Sequence, residues 1–218
     1  MQASQLLSLV NHALNDPGND AYSEATKLLA LSEAMEIIST IDPGCYVVTG
    51  NIDLVEGPYQ TLPTGGIRLL GLYYNTGADG NTVGRSIKFT TREQKNATSV
   101  TWPSTTGTAV SEYMYDHNED PLSFIVIPNL TAATKVHGTF SKVPPAMTSS
   151  SDTFPLKDTY RTPTVEFALY RLLTRDDVGT DNYRRGMGHY NNGAQLIGAR
   201  VASDDVKDME IREPVGRR

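Results

Sequence analysis

The chain has one cysteine, one tryptophan, four histidines and no long apolar run, and each scarcity removes a class of answer. A lone Cys45 can form neither an intramolecular disulfide nor a cysteine-based zinc site, which fits a reducing compartment. Following Pro43-Gly44 at a strand start, it reads as a small buried hydrophobe, since a catalytic thiol would need a base nearby. His12, His117, His137 and His189 show no H-E-x-x-H or other close ligand spacing, so no metal is expected. The N-terminal stretch, MQASQLLSLVNHALND, lacks a basic start and a continuous apolar core, and no window reaches the length of a membrane span. The expectation is a chain made and used in solution, with no membrane partner. Basic residues are outnumbered 19 to 25, for a net charge of −6, and no basic stripe with interleaved aromatics occurs. Phosphate neutralisation is therefore not its business, although a surface that lets DNA slide past would tolerate that sign.

Catalytic motifs are absent as well. There is no G-x-S-x-G elbow. Gly77, Gly80 and Gly84 do not make a phosphate loop, because no Lys-Ser/Thr follows and the next element reads as a strand. The clusters Asp116, Glu119, Asp120 and Asp176, Asp177, Asp181 lack calcium-loop order and read as turn and cap residues. Glu112 and Asp116 share one face at the end of a strand, the nearest thing to the paired carboxylate of a cell-wall hydrolase. Tyr73, Tyr74 and Tyr113 would be the platform of a carbohydrate-binding β module, against the plainer reading of half-buried strand packing. No catalytic residue, cofactor or metal ligand is assigned, and an enzyme is disfavoured.

What the chain does have is turn chemistry. At 218 residues and 39% hydrophobic it can bury roughly 70% of its unfolded surface, and its glycines and prolines point to a sizeable β component. Gly57-Pro58, Pro63, Gly65-Gly66, Gly77, Gly80 and Gly84 punctuate the stretch 55–93, leaving strands at about 59–62, 67–74 and 85–90. Further strands are expected at 46–54, 110–115, 123–127 and 135–142, with a hairpin across 116–121. A short helix capped by Thr91 is expected near 90–97, and Trp102, beside Pro103, is expected to pack the edge of the β module.

Helical periodicity lies on both sides. One helix spans about 4–15, with Leu6, Leu7, Val10, Ala13 and Leu14 on one face, and stops at Asp16-Pro17-Gly18. A second, capped by Ser23, runs to Ile41 through Leu28, Leu31, Ala34, Met35 and Ile38. A third, capped by Asp158 or Thr159, continues to about Arg175. A fourth, about 181–202, carries Tyr183, Met187, Tyr190, Ala194, Ile197 and Val201 as a narrow seam. Its Gly186, Gly188, Gly193 and Gly198 each cost about 1 kcal/mol relative to Ala, a cost that close approach of a neighbouring helix, within the chain or between subunits, would justify. The fold class expected is α+β: residues 1–43 a helical hairpin, 44–146 an inserted antiparallel β domain, 147–202 a second hairpin completing a four-helix bundle, and 203–218, too poor in apolar area to fold alone, either a frayed terminus or an extended C-terminal arm that orders on a partner.

The ordered series Tyr22-Ser23-Glu24, Leu54-Val55-Glu56-Gly57, Gln60-Thr61-Leu62-Pro63, Gly66-Ile67-Arg68-Leu69-Leu70, Asn75-Thr76-Gly77-Ala78-Asp79-Gly80 and Gly84-Arg85-Ser86-Ile87 with Arg92-Glu93 resembles the neck adaptor proteins of tailed bacteriophages. Tyr115-Asp116, Asp120-Pro121, Phe124-Ile125-Val126-Ile127-Pro128, the run from Phe154-Pro155 to Thr159-Tyr160, Leu169-Tyr170-Arg171 and His189-Tyr190 continue it in the same order. The likeness covers about 22–201 and is greatest to adaptors of short-tailed phages, related in architecture to tail tubular protein A. It implies a head-to-tail connector in the virion neck, assembled in the host cytoplasm. As the resemblance has it, a helical bundle with an inserted β domain forms a twelve-fold ring between the portal and the tail nozzle, and double-stranded DNA passes through the lumen without specific binding. Family members clasp portal and neighbour with extended termini or loops. On that footing Met209, Ile211 and Pro214 are expected to be apolar anchors of the arm, and Arg212, Arg217 and Arg218 to pair with acidic groups of the portal or a neighbouring subunit.

Overall fold

The computed structural model describes residues 1–77, 79–115, 120–175 and 180–212. In chain order the elements are α1 (Ala3–Leu14), α2 (Glu24–Ile41), β1 (Val47–Leu54), β2 (Gly57–Thr61), β3 (Gly66–Thr76), β4 (Val83–Ser86), β5 (Lys88–Phe89) and α3 (Arg92–Thr98). Then come β6 (Thr106–Gly107), β7 (Glu112–Met114), β8 (Ser123–Leu130), β9 (Thr134–Lys142), α4 (Arg161–Leu173) and α5 (Asp181–Arg212). Contacts divide the chain into two compact units. One is Met1–Cys45 with the chain from Pro144 onward; the other is Tyr46–Val143.

In the helical unit α1 packs on α2 and α4, α2 on α4, and α4 on α5. The first N–H groups of α1 need acceptors, and the linker supplies them: Ala3 N donates to Asp152 O and Ser4 N to Ser150 O, both at 2.8 Å. The helix stops where Asn15 turns left-handed (φ 54°), just ahead of Asp16-Pro17-Gly18. Ser23 caps α2, its Oγ accepting from Thr26 N at 3.2 Å. Leu28, Leu31, Ala34, Met35 and Ile38 are buried as the periodicity requires, but Ile41, at the last position, stays exposed.

A charged node holds the α1–α2 turn. Lys27 is 0% exposed. Its ammonium donates to Asn11 Oδ1 (2.6 Å), Asn19 Oδ1 (2.9 Å) and the Asp16 carbonyl (3.2 Å), and it pairs with Asp16 Oδ2 at 2.8 Å. The Asp16 carboxylate also accepts from the backbone N–H groups of Asp20, Ala21 and Tyr22. Tyr22 in turn donates its hydroxyl to the Leu172 carbonyl at the end of α4.

In the β unit one sheet has the order β1-β9-β3-β4 and the other β2-β8-β7-β5, with β6 beside β8. The alternation that predicts strands also sorts their faces. Ile52, Leu54, Leu69, Leu72, Val136 and Phe140 from the first sheet meet Tyr113, Phe124, Val126 and Leu130 from the second in one apolar core. Two buried amides replace missing backbone partners at turns. Gln60 binds the Val55 N–H and the Val55 and Gly57 carbonyls, and Asn75 binds the Val110 N–H and the Arg85 and Val110 carbonyls.

Four expectations need correction. The β domain is not wholly antiparallel: β5 runs parallel to β7 and β6 parallel to β8. Between β5 and β7 the long excursion through α3 and the Trp102–Ser104 turn gives the chain enough length to return in the same direction, and between β6 and β8 the intervening β7, antiparallel to β8, restores the direction. The run 85–90 is not one strand. It switches sheets at Ile87, whose N–H donates to Tyr73 O while that of Lys88 donates to Ser111 O. The third helix starts at Arg161, after a 310 turn at Asp158–Tyr160. Finally, the segment from Ser203 is not an extended arm throughout. Its backbone is helical to Arg212, because no glycine or proline intervenes between Gly198 and Pro214 and the segment is rich in helix-compatible residues.

Candidate functional site

The long helix α5 presents the chain's most unusual surface. Its 32 residues span about 48 Å, against about 20 Å for the 13 of α4, on which it packs. The contacts fall on Gly186, His189, Tyr190, Gly193, Ile197 and Arg200. A Cβ on Gly186 would come within 2.8 Å of Thr174 Cγ2, and one on Gly193 within 3.1 to 3.2 Å of three atoms of the Phe167 ring. These two glycines let α4 and α5 approach. His189 Nδ1 lies 2.8 Å from Glu166 Oε2, and the Tyr190 ring meets Phe167 and Tyr170. The buried seam is therefore set by Gly186 and Gly193, and of the expected residues Ile197 alone is fully buried while Met187 is exposed.

At the far end of this seam Arg200 closes a latch. Its guanidinium lies 4.1 Å from the centre of the Tyr160 ring, with Nε 3.8 Å from Asp42 Oδ2 and Nη1 donating to Thr159 Oγ1. Tyr160 donates its hydroxyl to Asp42 Oδ2 at 2.5 Å. Burial first, and then this carboxylate partner, push the Tyr160 phenol well above its ordinary range. The latch thus keeps Tyr160 a donor and joins the ends of α2 and α4 to α5. No local sequence signal pairs Asp42 with Arg200, so sequence reasoning missed it.

The other side of α5 is neutral. Between Arg185 and Arg200 there is no Asp, Glu, Lys or Arg, although Gly188, Asn191, Asn192, Gln195, Gly198 and Ala199 are exposed, with Met187 at 36% and Leu196 at 45%. A Cβ on Gly188 or Gly198 would meet nothing within 4 Å. Packing against the described residues does not account for them.

Of the arm residues, Met209, Ile211 and Arg212 stand on the last turns of α5, while Pro214, Arg217 and Arg218 lie outside the described residues. Glu112 accepts from Lys95 Nζ at 2.9 Å, and Asp116 lies outside the described residues, as do His117, Glu119, Asp176 and Asp177. Tyr113 is 6% exposed, inside the β core, so Tyr73, Tyr74 and Tyr113 do not form an exposed platform. Tyr74 instead stacks on His137 at 4.9 Å, and Tyr73 donates to Thr139 Oγ1. Trp102 is half-buried, its indole N–H donating to Asn96 Oδ1 at 2.8 Å. Among the described residues no cluster of three or more His, Cys, Asp or Glu side chains is placed to hold a metal, and no helix is long and apolar enough to cross a membrane.

The β unit carries a groove of about 520 Å³. Tyr59, Ile125 and Met114, in register across β2, β8 and β7, form its floor. Thr91, Arg92 and Glu93 at the start of α3 line it, together with Tyr115, Asp120 and Ser123. Sequence reading of strand alternation gave no sign of it, because the row forms only once three non-consecutive strands are in register.

A family model described as SU10 adaptor protein matches residues 1–217. No curated protein matches the chain.

Proposed function

We propose that this chain, which belongs to the SU10 adaptor protein family of structural phage virion proteins, is the head-to-tail connector subunit of its virion's neck. The observation that carries the reading is the match over essentially the whole chain, residues 1–217. In this reading twelve copies form a ring between the portal protein and the tail nozzle, assembled in the host cytoplasm. Double-stranded DNA passes through the lumen without specific binding, which a net charge of −6 suits. The helical unit is a four-helix bundle with the β unit inserted. The C-terminal residues Met209, Ile211, Arg212, Pro214, Arg217 and Arg218 contact the portal or a neighbouring subunit.

A closed ring needs two different patches on each subunit, and the neutral face of α5 suits one of them. Mixing the chain with its portal should give discrete rings on negative-stain grids, whereas persistently free monomers in the mixture would sink the reading. Truncation before Ser203 should abolish portal capture; capture at the parent level would rule out a role for the arm residues.

Gly188 and Gly198 offer a finer test. With open space at both, Gly188→Ala and Gly198→Ala should each stabilise the free chain by up to about 1 kcal/mol. The same changes should lower the yield of rings, because a neighbouring helix could no longer approach as closely. A higher melting temperature with an undiminished ring yield would show that this face is not the contact.

A further inference from the structure

We propose that the unassembled chain pairs with a second copy of itself along the free edge of β1, strand to antiparallel strand about a twofold axis. The ladder on the other side of β1 shows which groups that edge offers. Tyr46 and Lys142 continue the β1–β9 register, and Lys142 N donates to Tyr46 O at 3.0 Å. Hydrogen-bonded and non-hydrogen-bonded pairs alternate in an antiparallel ladder, so Val48, Gly50, Ile52 and Leu54 turn their N–H and C=O groups to β9. Val47, Thr49, Asn51 and Asp53 turn theirs away. Side chains lie closer at non-hydrogen-bonded pairs, and Thr49 Oγ1 is 2.9 Å from Thr139 Oγ1, Asn51 Oδ1 3.4 Å from His137 Nδ1. β1 ends its sheet, and all four outward-turned residues are exposed.

The other edges among the described residues are blunted. β2 holds Pro58 and a bulge, β4 has four residues and a bulge in its pairing with β3, and β5 and β6 have two residues each. β1 has eight residues in unbroken register, with no lysine, arginine or proline. A second copy fits it because the strand is self-complementary. With Asn51 opposite Asn51 of the second copy, Thr49 faces Asp53, and Val47, 41% exposed, faces Val55, 60% exposed, at both ends. On the other face Val48 lies opposite Leu54 and Gly50 opposite Ile52, which extends the apolar side of the sheet. No like charges meet. Val55 gives its own N–H and carbonyl to Gln60, so the ladder ends there. A register centred on Gly50 is poorer, since it sets Val47 against Asp53. Two four-stranded sheets thus become one of eight. Neighbours in a cyclic ring are not related by a twofold, so the dimer goes beyond the connector reading: it is a form of the free chain that has to open before a ring closes.

Analytical ultracentrifugation of the free full-length chain should show a monomer–dimer equilibrium with a dissociation constant on the order of 1–100 µM, as a small contact gives. Asn51→Lys sets two ammonium groups opposite each other at the axis and should weaken the dimer at least about tenfold; Asn51→Asp should do the same with carboxylates. An equimolar mixture of these two chains should restore it, an outcome that a misfolded variant cannot give. On oxidation Asn51→Cys should form a disulfide-linked dimer, since Cα atoms at a hydrogen-bonded pair are about 5.5 Å apart. Val83→Cys, 71% exposed on the opposite edge of the sheet, should stay unlinked, and the native Cys45 is buried. A single monomeric species up to about 100 µM, or a dimer that Asn51→Lys leaves unchanged, would overturn the proposal. Rings with portal from a chain that stays monomeric when free would remove this inference alone, while a β1 dimer that yields no rings would remove only the connector reading.

Discussion

The Lys27→Met chain is expected to lose about 3–5 kcal/mol of stability, the usual consequence of removing one partner from a buried ion pair. Methionine keeps nearly the length and bulk of lysine, so the variant isolates the ammonium from the packing. Four oxygens converge on Nζ at 2.6 to 3.2 Å, from Asn11, Asn19 and the carbonyl and carboxylate of Asp16. Without the ammonium they face one another across a site from which water is excluded, at 0% exposure for Lys27. Urea unfolding followed by circular dichroism, with amide exchange in α1 and α2 as the local readout, measures the loss. Unchanged exchange protection would show that the node contributes nothing. The double variant Asp16→Asn/Lys27→Met should recover part of the stability, because a buried pair replaced on both sides leaves no lone charge.

Acid probes the same node from its other side. The Lys27 ammonium, and then the backbone N–H groups of Ala21, Tyr22 and Asp20, hold the Asp16 carboxyl at about 2, against the opposing effect of burial and an ordinary value of 3.8. A carboxylate with a depressed folded pKa contributes stability that is fully present above its unfolded value and is lost as pH falls through the folded one. The contribution of Asp16 is thus complete above about pH 4 and disappears toward pH 2. The Asp16→Asn chain should lack this component of the acid transition, and equal acid profiles for the two chains would contradict the assignment.

The sequence was most legible where a signal is local. Ser23 as a cap, the Asp16-Pro17-Gly18 stop, the short helix begun by Thr91 and the alternation in β8 act within a few residues, and the structure has each of them. It was least legible where partners are distant. Nothing in the run 85–90 tells which residue changes sheets, because that depends on Tyr73 and Ser111, whose carbonyls take up successive N–H groups. Lys27 stands one position before the core residue Leu28, and only the folded turn brings Asn11 and Asn19 to it. The end of α5 was misread for a different reason. Apolar periodicity fades after Val201, but a helix persists until something breaks it, and the first breaker is Pro214. The four glycines of α5 looked alike in sequence, yet two admit α4 and two face open space.

Gly138 and Gly50 should give opposite outcomes for the same substitution, although they are register partners across β1 and β9. A Cβ on Gly138 would lie 2.7 Å from the Gly71 carbonyl oxygen, 2.8 Å from Leu72 Cδ2 and 3.1 Å from Ile52 Cδ1. The nearest of these is backbone of β3, which is itself paired to β9 and cannot retreat without breaking the ladder. Gly138→Val is therefore expected to lose about 3 kcal/mol, the upper range for overpacking, since the branched side chain adds bulk where even one carbon does not fit. At Gly50 nothing lies within 4 Å. That residue is on an edge strand, whereas β9 is flanked on both sides. Gly50→Val should be neutral or gain up to about 1 kcal/mol from the strand preference of a branched residue. Trp102, the chain's only tryptophan, sits within the β unit and gives the readout, its fluorescence reporting unfolding of that unit rather than of the helical unit. Equal midpoints for the two variants would mean that β9 can shift between its neighbours. The rigid backing this sheet gives to the apolar core shared with the second sheet would then have to come from elsewhere.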